Sequence, residues 1–155
     1  MQVRTLFLGV GLALGLAGSA AAQTIVDGSS LDDILNIAKG YGSATLDSQS
    51  NGDPKISGRI DGVPYQLYFM NCTDNANCED VNFYSGFLDN KPDLETINAW
   101  NRDKRFGKAY LDSDLDAVIE WDVNLEYGLT SENMDAAFSL WWLILDQYTT
   151  YIGAK

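Results

Sequence analysis

The chain reads as an α+β domain in which an antiparallel sheet of about six strands carries three helices, in the order α-β-β-β-β-α-β-β-α. Three observations predict this. Residues 63–70 and 117–125 alternate apolar and polar side chains with a period of two. Residues 131–152 place Met134, Phe138, Trp141, Leu145, Tyr148 and Ile152 at steps of four and three, the spacing of a core-facing helix. Between these segments, turn residues recur at hairpin spacing, and parallel crossovers are not called for.

Each element has its own signal. Ser30 with Asp33 offers a capping box ahead of Leu31, Ile34, Leu35 and Ala38, and Gly40-Tyr41-Gly42 is placed to end that helix in the left-handed region. A meander follows: a strand over 45–48, a turn at 50–54, a strand over 55–61, the turn dipeptide Asp61-Gly62, and a strand over 63–70 with Tyr65, Leu67 and Phe69 on one face. Val81, Phe83 and Phe87 repeat the period in a fourth strand, with Asn82 and Tyr84 opposite. Pro92-Asp93 opens the second helix with Asp93 as its cap, and Leu94, Ile97 and Trp100 or Asn101 continue on one side. After Gly107 comes a strand over 108–112, a turn at 113–116, and a strand whose Ala117, Ile119, Trp121, Val123 and Leu125 oppose Glu120, Asp122, Asn124 and Glu126. Thr130 caps the last helix, where Leu140, Trp142, Leu143 and Ile144 widen the apolar surface to nearly the full circumference.

A chain of 155 residues, 46% hydrophobic and 12% aromatic, buries one core of ordinary size. Residues 1–22 read as a secretory signal: Arg4 is the positive n-region, residues 6–17 the apolar stretch, and Ala20-Ala21-Ala22 a small-residue site with cleavage after Ala22. Residues 23–155 then form a single domain in the periplasm or secreted, with no membrane anchor once the signal is removed. Cys72 and Cys78 bracket a polar loop, and in an oxidising compartment that spacing favours a local disulfide over a redox or metal site. A formal charge of -12 argues against nucleic acid or an anionic membrane as partner. The absence of His removes the commonest general base and the commonest transition-metal ligand.

One stretch carries a likeness. Asn98, Trp100, Asn101, Arg105, Phe106, Lys108, Ala109, Tyr110 and Asp112 fall within a segment that ends a helix, turns and starts a strand with hardly a spare residue. It resembles the signature of the YbjN family, described as bacterial sensory transduction regulators. The resemblance implies an α+β fold like that of type III secretion chaperones, one that often dimerises, and it supplies no catalytic residues. Two departures stand out: many members have Asp-Gly at the last hairpin where this chain has Asp114-Leu115-Asp116, and the signal with its cysteine pair moves this member out of the cytoplasm.

The candidate interaction residues are Asn98, Trp100, Asn101, Arg102, Arg105, Lys108 and Trp142. Carboxamides near a helix end commonly satisfy loose backbone groups, the reading preferred here over a ligand role for Asn98 and Asn101. Arg102, Lys104, Arg105 and Lys108 complement a helix C-terminus, with an acidic peptide as the functional alternative. Trp142 and Leu143 lie about 100° and 200° around the helix from Trp141, which leaves them to the first helix or to a second subunit. The run 112–116 has the alternating acids of a calcium loop but has Ala117 and Val123 where that loop needs Gly and Glu. No cofactor, metal or catalytic set is expected. The expected function is a non-enzymatic, extracytoplasmic interaction or chaperone-like module able to form a homodimer. The alternatives are a small periplasmic hydrolase using carboxylates and a weak cation-responsive module.

Overall fold

A computed structural model describes residues 23–155, so the signal-like segment lies outside the described residues. The elements are β1 (Ile25–Val26), α1 (Leu31–Lys39), β2 (Ser43–Ser48), β3 (Pro54–Ile60), β4 (Val63–Met70), β5 (Asp80–Phe87), α2 (Leu94–Asp103), β6 (Lys108–Leu111), β7 (Ala117–Asn124), β8 (Leu129–Thr130) and α3 (Ser131–Tyr151). The α+β expectation holds: six of the strands form one antiparallel sheet in the order β2-β3-β4-β5-β7-β6. The sheet is a meander whose last hairpin is folded back, so that β7 lies beside β5 and β6 becomes an edge.

The register puts Leu67, Phe83 and Trp121 side by side on β4, β5 and β7. Phe83 is the centre of the core: it stacks on Trp121 at 5.6 Å between centroids, meets Phe138 edge-on at 5.1 Å and tilts against Trp141 at 5.4 Å. Aromatic pairs at such separations add about 0.5–1.5 kcal/mol each beyond area burial. The α3 stripe read from the sequence is the buried one, with Met134, Phe138, Trp141, Leu145 and Tyr148 all inside. The opposite sheet face carries Gln66, Tyr68, Asn82, Tyr84, Tyr110 and Glu120, all partly exposed.

The two remaining helices sit at the sheet's edges, α1 against β2 and α2 against β6. Tyr41, just past α1, stacks on Phe138 at 5.8 Å and donates its hydroxyl to the Asp135 carbonyl at 2.8 Å. Trp100 of α2 meets Tyr148 edge-on at 4.8 Å. All three helices are thereby packed into one layer.

Several local expectations are corrected. Ser30 makes no side-chain cap to α1; it bonds Asp27 instead, whose carboxylate also takes the Ser29 N–H at 2.9 Å. The nearer carboxylate outcompetes the box. Gly40 is right-handed at φ -66°, and α1 ends in tight bonds from the Gly40 N–H to the Ile37 carbonyl at 2.9 Å and from the Tyr41 N–H to the Ala38 carbonyl at 3.1 Å. Leu94 is exposed rather than core-facing, and Val118 is fully buried although it lies on the face read as wet. Two short strands were not foreseen: β1 pairs with β8, tying the start of α3 to residues 25–26.

Candidate functional site

Asp93 and Trp100 set the site by fixing α2 at both ends. The Asp93 carboxylate caps the helix by accepting from the Thr96 N–H at 2.8 Å, and that bond holds its pKa below the ordinary 3.8. At the other end the chain reverses through Gly107, whose φ of +79° few residues other than glycine adopt. A Cβ there would also stand 2.9 Å from Ile119 and 3.0 Å from Ile144. The Gly107 carbonyl receives the Trp100 indole N–H at 3.2 Å.

Asn101 completes this joint. Its carboxamide accepts the Ala109 N–H and donates to the Ala109 carbonyl, both at 2.9 Å. β6 is the edge of the sheet, so the side chain satisfies the two backbone groups that a next strand would have taken. Trp100 is 2% exposed and belongs to the core. Asn98 is exposed and its carboxamide makes no hydrogen bond within the described residues. These two and Asn101 therefore do not converge on one cavity.

The basic residues divide. Arg102 forms a two-pronged pair with Asp103 at 2.9 and 3.1 Å, and Lys108 pairs with Glu120, which also accepts the Tyr110 hydroxyl at 3.0 Å. Burial, then the Glu120 bond, pushes the Tyr110 hydroxyl well above its ordinary value. Lys104 and Arg105 have no carboxylate partner among the described residues; they lie over the rings of Trp100 and Phe106, at 5.6 and 5.7 Å from the centroids. Phe106 and Leu143, neither singled out from the sequence as the wall of a site, face each other across a hollow on this side of α3.

Trp142 lies on the far side of that helix. It is 41% exposed, and its indole N–H donates to Asp61 at 2.7 Å, so the β3–β4 turn, rather than α1, covers part of it.

On the opposite sheet face a hollow of about 250 Å³ is bordered by Tyr84, Leu88, Asp112 and Asp116. Both carboxylates hold their own surroundings together. Asp112 accepts the N–H groups of Asp114 and Asp116, each at 2.9 Å, while Asp116 accepts the Asp89 N–H at 3.0 Å and pairs with Lys91 at 3.3 Å. Leu115 at the hairpin tip has φ +65°, so the turn is a three-residue loop closed by a left-handed residue. Among the described residues no group of three His, Cys, Asp or Glu side chains is placed to hold a metal ion. No described helix is long and apolar enough to cross a membrane.

The Cys72–Cys78 disulfide is present and closes the loop between β4 and β5. Cys78 is buried against β1's extension: a Cβ on Gly28 would fall 1.8 Å from the Cys78 carbonyl oxygen.

These features define an α+β domain whose signature residues are spent on a helix-to-edge-strand joint, leaving a partly apolar, locally cationic surface along α3. The chain belongs to the YbjN family, described as "Putative bacterial sensory transduction regulator", which matches residues 30–154. Membership supports a regulator-like role. No curated protein and no solved structure matches the chain.

Proposed function

We propose that the protein is an extracytoplasmic interaction module, chaperone-like in its mode of action, which engages a protein partner through the surface formed by α3 and the α2–β6 joint. The observation that carries this is the placement of Phe106 and Leu143, each two-fifths exposed, about one hollow between α3 and the α2–β6 turn, with Trp142 equally exposed on the far side of the same helix. Large apolar side chains grouped on a surface mark contact sites, whereas the same residues scattered singly would not. The signal-like start and the disulfide support a periplasmic or secreted location, where such bonds persist. The Trp142 side of α3 is the place for a second copy, and a homodimer there fits the reading.

The test is a photo-crosslinking residue placed at Leu143 and, as control, at exposed Thr45 on the β2 edge, in the mature chain exposed to periplasmic extract. A discrete adduct, identified by mass spectrometry, is expected from position 143 and not from 45. Equal labelling from both positions, or none from 143, rejects the surface.

A further inference from the structure

Between the end of α2, residues 104–107 and the middle of α3 lies a hollow of about 200 Å³. Trp100 and Ile144 form its floor, at 2% and 4% exposure, Phe106 and Leu143 its walls, and Lys104 and Arg105 its rim. Pockets for whole small molecules usually run to about 300–1,000 Å³. This one has room for a single large side chain.

The rim supplies the second constraint. The chain holds 22 acidic residues against 10 basic ones, and most of the cations among the described residues are engaged by carboxylates. Lys55, Lys91, Arg102, Lys108 and Lys155 all pair with acids. Arg59 is held by the Gly62 carbonyl at 2.9 Å, and Lys39 sits in the last turn of α1, away from the hollow, with no carboxylate partner among the described residues. Lys104 and Arg105 instead set their charged ends over the rings of Trp100 and Phe106 beside the hollow, Lys104 also bonding the neutral Gln147 at 3.3 Å. Asp103, the nearest acid in sequence, is occupied by Arg102.

We infer that this hollow receives one bulky apolar side chain, of phenylalanine or leucine size, from an acidic segment of a partner protein, with Lys104 and Arg105 meeting carboxylates that flank the anchor. The inference rests on the reading of the α3 surface as a partner site and names the partner's chemistry. The charge of -12 does not oppose it. At physiological salt, exposed charges beyond about 8 Å are largely screened, so the two rim cations dominate locally. Two cations are also too few for a phosphate backbone, whose binders neutralise several phosphates at once. An apolar anchor in a desolvated pocket with a charged rim is the common arrangement of a binding hot spot.

The probe is a fluorescein-labelled peptide, Glu-Asp-Phe-Asp-Glu, titrated into the 15N-labelled mature chain. Saturable binding is expected, with amide shifts concentrated at Phe106, Gly107 and Leu143. Replacing the peptide's Phe by Ala should weaken binding about tenfold or more. The double variant Lys104→Gln/Arg105→Gln should weaken it about fivefold while leaving the spectrum of the free protein otherwise unchanged. Equal binding by the Ala peptide, equal binding by a Lys-Arg-Phe-Arg-Lys peptide, or shifts elsewhere on the surface would overturn the inference. A second copy is the other acidic source to separate, because Leu115 is 59% exposed between Asp114 and Asp116. Self-association that Leu115→Ser abolishes and Trp142→Ala does not would assign the hollow to the chain itself and remove the separate partner. If no peptide binds while the Leu143 crosslink persists, the surface stands and this inference falls; loss of the crosslink rejects the surface itself.

Discussion

The carboxamide of Asn101 and the backbone of Ala109 form a closed pair of hydrogen bonds, both 2.9 Å long, across the turn from α2 to β6. The pair substitutes for a neighbouring strand at the sheet edge and fixes the angle at which α2 leaves it. Asn101→Ala leaves a backbone donor and acceptor without their partners, at a cost of about 1–3 kcal/mol. Asn98→Ala, one turn away and exposed, should stay within about 0.5 kcal/mol of the parent. Urea denaturation of both variants checks the contrast; equal effects would show that Asn101 does not hold the joint.

Much of this architecture was legible because burial imposes a period. β4, β7 and α3 each bury one face, so Tyr65-Leu67-Phe69 and Met134-Phe138-Trp141 announce themselves in the sequence. β1 and β8 do not, since two residues carry no period. Val118 reads as exposed because alternation follows one strand alone, and it says nothing of the flanking strands, which set Gly86 and Tyr110 on either side of it. The preference for Asn101 as a backbone partner was correct in kind, but its partner Ala109 depends on the left-handed Gly107 between them. The hollow was least legible of all. Trp100, Phe106, Leu143 and Ile144 come from three segments, and only the fold brings them together.

Leu115 occupies a left-handed backbone at φ +65° while leaving most of its side chain in water. A β-carbon in that region costs about 1–2 kcal/mol. Glycine avoids this and loses about 0.5–1 kcal/mol to the greater freedom of the unfolded chain. Leu115→Gly should therefore stabilise the domain by roughly 0.5–1 kcal/mol, read as a higher urea midpoint at unchanged slope. A lower midpoint would show that the Leu115 side chain contributes contacts outweighing its strain.

The Cys72–Cys78 link closes a loop at a sequence separation of 6, which limits the denatured-state entropy it removes. Chain statistics give about 2 kcal/mol for a ring of that size. The double variant Cys72→Ser/Cys78→Ser should fold and melt lower by an amount in keeping with that figure. Failure to fold would mean that the link sets the β4–β5 register rather than merely trimming its loop. Intact-mass analysis of the protein purified without reductant should show the two residues joined within one chain.

Tyr65 is buried with no hydrogen-bond partner for its hydroxyl among the described residues, and burial pushes its pKa from 10.0 up to about 12. The folded state thus holds this proton more tightly than the unfolded chain does. Its contribution to stability is complete below pH 10 and is lost as pH rises through about 12. Tyr65→Phe removes both the orphan hydroxyl and that linkage. The variant should be at least as stable at pH 7 and should lose less stability between pH 10 and 12 than the parent. An unchanged alkaline limb would place the alkaline sensitivity on Tyr148 or Tyr110, whose values burial also raises.

Trp142 is where the association of this chain can be decided. Its neighbours Trp141 and Leu145 are buried, but Trp142 itself is 41% exposed, with one edge tied to Asp61 by the 2.7 Å hydrogen bond. That bond orients the ring without removing it from water. α1, the intrachain candidate to cover it, is engaged further up α3 instead, through Tyr41 on Phe138 and Asp135. A two-fold contact centred on Trp142 would put an indole at the middle of an isologous interface, where truncation commonly costs about 2 kcal/mol or more. The expected outcome is a weak to moderate homodimer whose dissociation constant Trp142→Ala raises by about thirtyfold. The subunit should stay folded, because most of what the residue gives up is an exposed face and one surface hydrogen bond. Sedimentation equilibrium across a wide concentration range, with circular dichroism on the same samples, reads both quantities. A strict monomer at the highest concentration removes the dimer, and an unfolded Trp142→Ala variant moves this side chain into the core's account rather than the interface's.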